Sequence, residues 1–295
     1  AFLELIALIL NSSDQKKMSI AKLNEIKGMI ETFSIKEEKF INETYSLNLG
    51  VSFNKKKVLN YLAKKNIFPS VPVQKKILFL PIVIDERKKE LLLFSGNYFF
   101  DKWNSFSKGS ELIEYILPTE DLEDLNLIKD KYEFIEKYDF KQIIDKYNLQ
   151  DSIIALIFKN EKGARVLSRI TMTDNIVLKN QTFLNTDIND LDQIEDMINK
   201  LKITYEDYWK NFNQINTSIK LTLFIKIKSL ENSKILNFEK LLNEMDLINN
   251  FFITKFDNDF TYYQITFNGT AKNFLKLMDN NNYKLNTQNM IWVLK

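Results

Sequence analysis

Apolar residues recur at helical spacing from Ala1 to Leu10 and again from Ile20 to Ile30, with the polar stretch Asn11-Ser12-Ser13-Asp14 predicting a turn between two helices. Glu31 to Phe40 and Thr44 to Phe53 alternate as strands, and Asn42-Glu43 between them predicts a hairpin. Asn54 is placed to cap a following helix with Val58, Leu59, Leu62 and Ala63 on its apolar face. Pro69 and Pro72 then break the pattern. Lys76 to Ile84 is a continuous apolar run, the mark of a strand buried on both faces, with Leu91 to Phe94 as its hairpin partner. An aromatic segment, Tyr98, Phe99, Phe100, Trp103 and Phe106, precedes a short strand from Leu112 to Leu117 that ends at Pro118. Thr119 is read as the cap of a helix carrying Glu120 and Asp121 in its first turn, and Phe140 to Tyr147 is read as another helix.

Ser152 to Phe158, Arg165 to Thr171 and Ile176 to Phe183 predict a three-stranded meander, followed by one long amphipathic helix from Ile188 to Phe212. The remainder reads strand (219–227), helix (236–245), strand (248–256), strand (260–267), helix (271–278), strand (290–294). That β-α-β-β-α-β order predicts a ferredoxin-like domain with a four-stranded antiparallel sheet and two helices on one face. The fold class is therefore α+β, or mixed α/β, in several small modules. They are an N-terminal α+β module lacking its first strand (1–70), a central α/β domain with a mixed sheet (71–213) and a C-terminal ferredoxin-like domain (214–295). The opening helix is expected to pack on the 45–53 strand and to leave a free sheet edge.

Composition removes most catalytic chemistry. The 295 residues include no His and no Cys, so zinc, iron–sulfur and imidazole-dependent nucleophile sites of the usual kind are excluded. The six glycines are far apart, so no phosphate-cradling loop can be built from them. Carboxylate, lysine, tyrosine or serine chemistry survives, as does an oxygen-ligated magnesium or calcium site. The formal net charge is +2, and nearly all of the positive charge is lysine, with arginine only at 87, 165 and 169. With the many Asn and Ile residues this is the mark of an AT-rich genome, and it argues against a nucleic-acid surface. The longest apolar run falls well short of the roughly 18–20 residues that span a bilayer. The start, Ala1-Phe2-Leu3-Glu4, lacks the features of a secretory signal, and the expectation is that a signal has been removed.

Several segments resemble an uncharacterised proteobacterial envelope family, domain-of-unknown-function family 2066. They are the opening Ala1-Phe2-Leu3-Glu4-Leu5-Ile6, the strand Tyr45-Ser46-Leu47-Asn48-Leu49-Gly50-Val51-Ser52-Phe53, and above all the stretch from Trp103 through Gly109 into Leu117-Pro118-Thr119-Glu120-Asp121-Leu122-Glu123-Asp124. The resemblance implies a periplasmic protein exported by a cleaved signal, with no known reaction, catalytic residue or cofactor. More loosely, the middle segment with its Leu80-Pro81 resembles the α/β domains of the periplasmic Tol translocation protein and of the curli-secretion lipoprotein, a likeness of architecture that does not fix function.

Two residue groups are candidates for function. Phe99, Phe100 and Trp103 could present a partner surface, although aromatics more often fill a core. Glu120, Asp121 and Asp124, with Glu123, could converge on a cation, although acids at a helix start more often serve as caps and solvated charge. Asp187, Asn189, Asp190 and Asp192 fail as a calcium loop, because Asp192 and Ile198 stand where that loop needs Gly and Glu. The leading expectation is a non-enzymatic periplasmic protein that binds or assembles envelope proteins, with no cofactor, no metal, no nucleic-acid partner and no transmembrane segment. The alternatives are a carboxylate- and magnesium-dependent enzyme acting on envelope sugars and a nucleic-acid-binding protein.

Overall fold

The structure is a computed structural model describing residues 1–106, 111–160, 163–173, 175–215 and 219–294. Gly109 and its neighbours lie outside the described residues. The chain is of mixed α+β class and divides into two compact units, one formed by residues 1–71 with 210–295 and the other by 72–209.

In the first unit, α1 (Phe2–Ile9) buries Phe2, Ile6 and Ile9. The polar stretch read as a turn instead opens α2 (Ser12–Met18), because the Asn11 side chain accepts the Asp14 amide at 2.9 Å and so caps a helix that hydropathy does not mark. α3 (Leu23–Met29) is shorter than its apolar spacing predicts, and Ile30 already belongs to β1 (Ile30–Ile41). Among the described residues, β1 pairs with β2 (Thr44–Phe53) alone. Asn42 and Glu43 both have positive φ, 49° and 59°, the backbone a two-residue hairpin turn requires. Asn54 caps α4 (Lys55–Lys64), accepting the Lys57 amide at 3.1 Å. Phe2, Ile6, Leu10, Met18, Met29, Val58, Leu62 and Ile67 form one core among the helices. Contrary to expectation, α1 does not lie along the hairpin. Its ring contact with the hairpin is at the base, where Phe2 meets Phe53 edge-on at 5.7 Å, while Tyr45 to Leu49 are exposed.

The second unit is built on β3 (Lys75–Asp85), buried on both faces from Ile77 onward. β4 (Glu90–Leu92) pairs antiparallel with its end. α5 (Tyr98–Lys102) runs into a short 3₁₀ turn at Trp103–Ser105. β5 (Ile113–Ile116) then pairs parallel with the start of β3. The next helix, α6 (Leu122–Lys129), is capped by Asp121, whose carboxylate accepts the Glu123 amide at 2.8 Å. The cap is thus two residues later than Thr119, whose own amide is donated to the Tyr147 hydroxyl. α7 (Lys141–Asp145) follows. β6 (Ser152–Asn160), β7 (Gly163–Met172) and β8 (Asn175–Leu184) form the meander, giving the sheet order β4-β3-β6-β7-β8 with β5 also on β3. Leu80, Ile82, Ile84, Ile154 and Leu156 pack on Ile128, Phe140 and Ile143, so α6 and α7 cover one face. α8 (Leu191–Phe212) faces the other side, where its Tyr205 is fully buried near Phe79 and donates to or accepts from the Ser168 hydroxyl at 2.7 Å.

The C-terminal sheet lies in the first unit. It contains β9 (Lys220–Lys228), β10 (Ile248–Phe256), β11 (Phe260–Asn268), β12 (Leu285–Asn286) and β13 (Ile291–Leu294), with α9 (Asn232–Glu244) and α10 (Ala271–Asn280). The order is β10-β11-β9-β13-β12. Leu223, Ile225, Ile227, Tyr263, Ile265 and Phe267 pack against Phe238, Leu242, Phe274 and Met278, so both helices cover one face, as the alternation predicts. The expected four-stranded antiparallel sheet is corrected in two respects. A fifth strand is present, and β13 runs parallel to β9. The polar segment after Asn286 reverses the chain, with the Gln288 amide donated to the Asn286 side chain, so the strand that reaches β9 is the returning one.

Trp103 is fully buried and stacks on Phe79 of β3 at 3.7 Å between centroids, with Tyr115 edge-on at 5.3 Å. Trp103→Ala is therefore expected to destabilise the protein by about 3–5 kcal/mol, read as a lowered denaturant midpoint with an unchanged slope.

Candidate functional site

The aromatic candidates are core rather than surface. Phe99 and Trp103 are buried, and half-buried Phe100 packs edge-on against Phe94 at 5.2 Å. Asn97 fixes this segment from within. Its side-chain amide donates to the carbonyls of Pro81, Leu92 and Leu93, and its oxygen accepts the amides of Phe99 and Phe100. Phe99 and Trp103 are therefore not available to anchor a partner.

The acidic candidates do come together, but around a lysine. Lys146 donates to Asp121 at 2.9 Å and to buried Asp124 at 2.5 Å, and Glu123 lies 3.6 Å away. The ammonium takes the place a metal ion would need. Lys146 has its pKa raised, first by Asp124 and then by Asp121, while Asp121 is held below the usual carboxylate range by Lys146 and by the Glu123 amide. Glu120 is exposed on the approach to this helix. Among the described residues no group of acids is arranged to hold a metal ion.

A groove of about 660 Å³ opens beside β5, lined by Lys75, Glu111, Glu114, Tyr115 and Lys202 among others. Some polar groups in and beside it hold the chain, while the buried Tyr115 hydroxyl has no hydrogen-bond partner among the described residues. Glu206 accepts the amides of Leu112 and Ile113 at 2.8 and 2.9 Å, and Lys202 donates to the Phe106 carbonyl at 2.8 Å and pairs with Glu111. Burial, then the nearby Glu206, pushes the Tyr115 hydroxyl well above its ordinary pKa, so it stays protonated. This geometry fixes the start of β5.

An exposed apolar surface stands on the β1–β2 hairpin. Phe33, Ile35, Phe40, Tyr45, Leu47 and Leu49 are all exposed, Phe33 and Phe40 at 72 %. Pairing shows that they share one face, because Phe33 lies opposite Val51, Ile35 opposite Leu49, Glu38 opposite Leu47 and Phe40 opposite Tyr45. Simple alternation would put Phe33 and Phe40 on opposite faces. The β-bulge between Ile35 and Glu37 inserts Lys36 as an extra residue and brings Phe40 back to the side of Phe33. The other face carries Thr32, Ser34, Glu37, Lys39, Ile41, Thr44, Ser46, Asn48, Gly50 and Ser52, with Ile41 at the tip its one large apolar residue. Glu38 is the one charged residue amid the apolar face, and it accepts the Tyr45 hydroxyl at 2.7 Å, which raises the Tyr45 pKa.

A second open surface is the face of the C-terminal sheet away from α9 and α10. The register places Phe224, Phe252, Phe260 and Tyr262 there with Lys220, Lys226, Lys228 and Lys255. None of the five strands contains an Asp or Glu. Lys226 lies 4.2 Å from the Phe260 ring centre and Lys255 lies 5.0 Å from that of Tyr262. Lys255 also pairs with Asp257 in the adjoining turn.

No family model, curated protein or solved structure matches this chain. The surfaces therefore carry the argument for what the chain binds. Among the described residues no helix is long and apolar enough to cross a membrane. Neither open surface follows from composition. The hairpin face depends on a bulge, and the cationic sheet face depends on which side the helices cover.

The Lys146 cluster gives a signed pH dependence. Asp121 has a lowered pKa in the folded protein, so its pairing stabilises above the ordinary carboxylate range and is lost as pH falls through the lowered value. Lys146→Met is expected to lower the Tm at pH 7. The gap from the unmodified protein should begin to narrow as pH falls below about 3.9, where a free aspartate is half-protonated, and close below the lowered pKa of Asp121. A gap that persists unchanged at pH 2 would show that Lys146 acts by packing alone.

Proposed function

We propose that this chain is a non-catalytic binding or assembly protein that docks a partner protein on the apolar face of the β1–β2 hairpin, and that it works in the periplasm. The observation that carries the docking is the face itself. A two-stranded hairpin is marginal in water unless its apolar side is covered, and six large apolar side chains on one side of this one are exposed. The family resemblance of the Trp103–Asp124 stretch supports the compartment. A lipid surface fits less well, because Glu38 sits in the middle of the apolar face.

The test is the double variant Phe33→Thr, Phe40→Thr, which keeps β-propensity on an exposed arm. Its melt should match the unmodified protein, while a partner recovered from crosslinked envelopes should bind about 30-fold more weakly or worse, corresponding to about 2 kcal/mol for an anchor. Equal affinity of the two forms for the recovered partner would remove the hairpin from the interface.

The open face of the C-terminal sheet favours a second reading, a platform for single-stranded nucleic acid. It combines four aromatics with four lysines and no strand acid, so the near-neutral net charge does not describe it. On this reading, oligonucleotide affinity should fall steeply with salt, and Phe224→Ala with Tyr262→Ala should weaken it by about 1–3 kcal/mol per stacked base. Absence of retention on heparin at low salt would end it.

A further inference from the structure

We infer that two copies of this chain pair edge to edge through β2, antiparallel and centred on Leu49, making one four-stranded sheet. The inference rests on the reading above, since the joined sheet is what would present the docking face.

The two outer edges of the hairpin differ. That of β1 is defended. It carries the run Lys36-Glu37-Glu38-Lys39, and its extra residues Glu31 and Lys36 break the register twice. Charge and bulges are the devices by which edge strands resist pairing with another chain. β2 has neither. Its ten residues, Thr44–Phe53, include no charge and no proline, and among the described residues the strand pairs with β1 alone. A long, unprotected edge is a template for strand addition.

The sequence of β2 is also complementary to itself. Antiparallel pairing about Leu49 sets Tyr45 against Phe53 of the second copy, Leu47 against Val51 and Leu49 against Leu49. On the opposite face it sets Ser46 against Ser52 and Asn48 against Gly50. Every pair joins like with like in polarity, and no like charges meet. Two strands of this length exchange about ten hydrogen bonds, the number an average protein interface carries.

Area points the same way. The six apolar side chains of one hairpin leave about 700 Å² exposed, taking roughly 200 Å² for each large side chain. That is slightly less than the roughly 800 Å² one partner contributes to a standard interface, and two hairpins side by side exceed it. Four strands also meet the requirement of three or more that a stable sheet has.

The chain has no cysteine, so a single introduced cysteine reports only on its own surroundings. Leu49→Cys should oxidise to a covalent dimer, because directly opposed residues of paired strands lie within disulfide reach. Tyr45→Cys, which this register sets opposite Phe53, and Ser34→Cys on the defended strand should crosslink at least tenfold more slowly. Sedimentation of the unmodified protein should show a dimer, and Asn48→Lys, which adds a charge to the edge, should be monomeric with an unchanged melt. A protein that stays monomeric at 100 μM, or equal crosslinking at all three positions, overturns the pairing. So does a Leu49→Cys chain that crosslinks to another envelope protein instead of to itself. Self-pairing is read on purified protein and partner affinity on the Phe33, Phe40 variant, so either idea can fail without the other.

Discussion

The second unit depends on the burial of one strand on every side. β3 is paired along one edge by β6 and along the other by β5 at its start and β4 at its end, and both of its faces are covered. A strand so enclosed can carry no polar side chain in its middle, which is why Ile77 to Ile84 is an unbroken apolar run. Neighbouring features follow from that enclosure. Pro81 leaves its carbonyl to be bonded from the side, and the buried Asn97 amide does so while also accepting the amides that open α5. Trp103 is then delivered onto Phe79. Buried Lys202, 5.8 Å from the Trp103 ring, is held by the Phe106 carbonyl and Glu111. The polar groups in this region close the ends of strands. Those bonded to the backbone, Asn97, Lys202 and Glu206, contribute to stability by satisfying groups that burial would otherwise leave unpaired.

The elements easiest to read in the sequence were those whose burial matches a single period. The alternation of β11, the continuous run of β3 and the long stripe of α8 each follow from one packing environment. Helix starts were less legible, because a cap depends on one side-chain geometry. Thr119 and Asp121 are both good capping residues, and only the path of the chain out of Pro118 chooses Asp121. The direction of β13 was hidden for a similar reason. The Asn286 turn is an ordinary polar loop in sequence, and the few residues of β12 before it are too short to announce a strand.

The candidate site was legible only as composition. Phe99 and Trp103 were visible as aromatics, but aromatic content alone does not distinguish a core from an anchor. The hairpin was visible as two strands, yet its one-sided character was not. With Lys36 counted as an ordinary strand residue, Phe33 and Phe40 fall on opposite faces and the arm looks evenly mixed. The bulge is what sorts it into an apolar and a polar side. Bulges leave a weak trace in sequence because they are defined by the partner strand, here by Leu49 and Asn48.

Charge in this protein is informative by position and not by sum. The totals, 41 basic against 39 acidic residues, are nearly balanced. Yet the acids of the Lys146 cluster sit at one helix start, β1 carries its charges together, and the five C-terminal strands hold lysine without any acid. Lysine is abundant along the whole chain, so lysine on a solvated face carries little weight alone. The absence of acids from adjacent strands carries more, since acids are almost as abundant in the chain. The same reasoning applies to β2, where ten residues without a charge stand in a chain that is 27 % charged. An exposed edge without charge invites aggregation, and proteins ordinarily defend such edges. Leaving one edge bare while its neighbour carries four consecutive charges and two bulges is the arrangement a strand keeps when pairing along it is part of what the protein does.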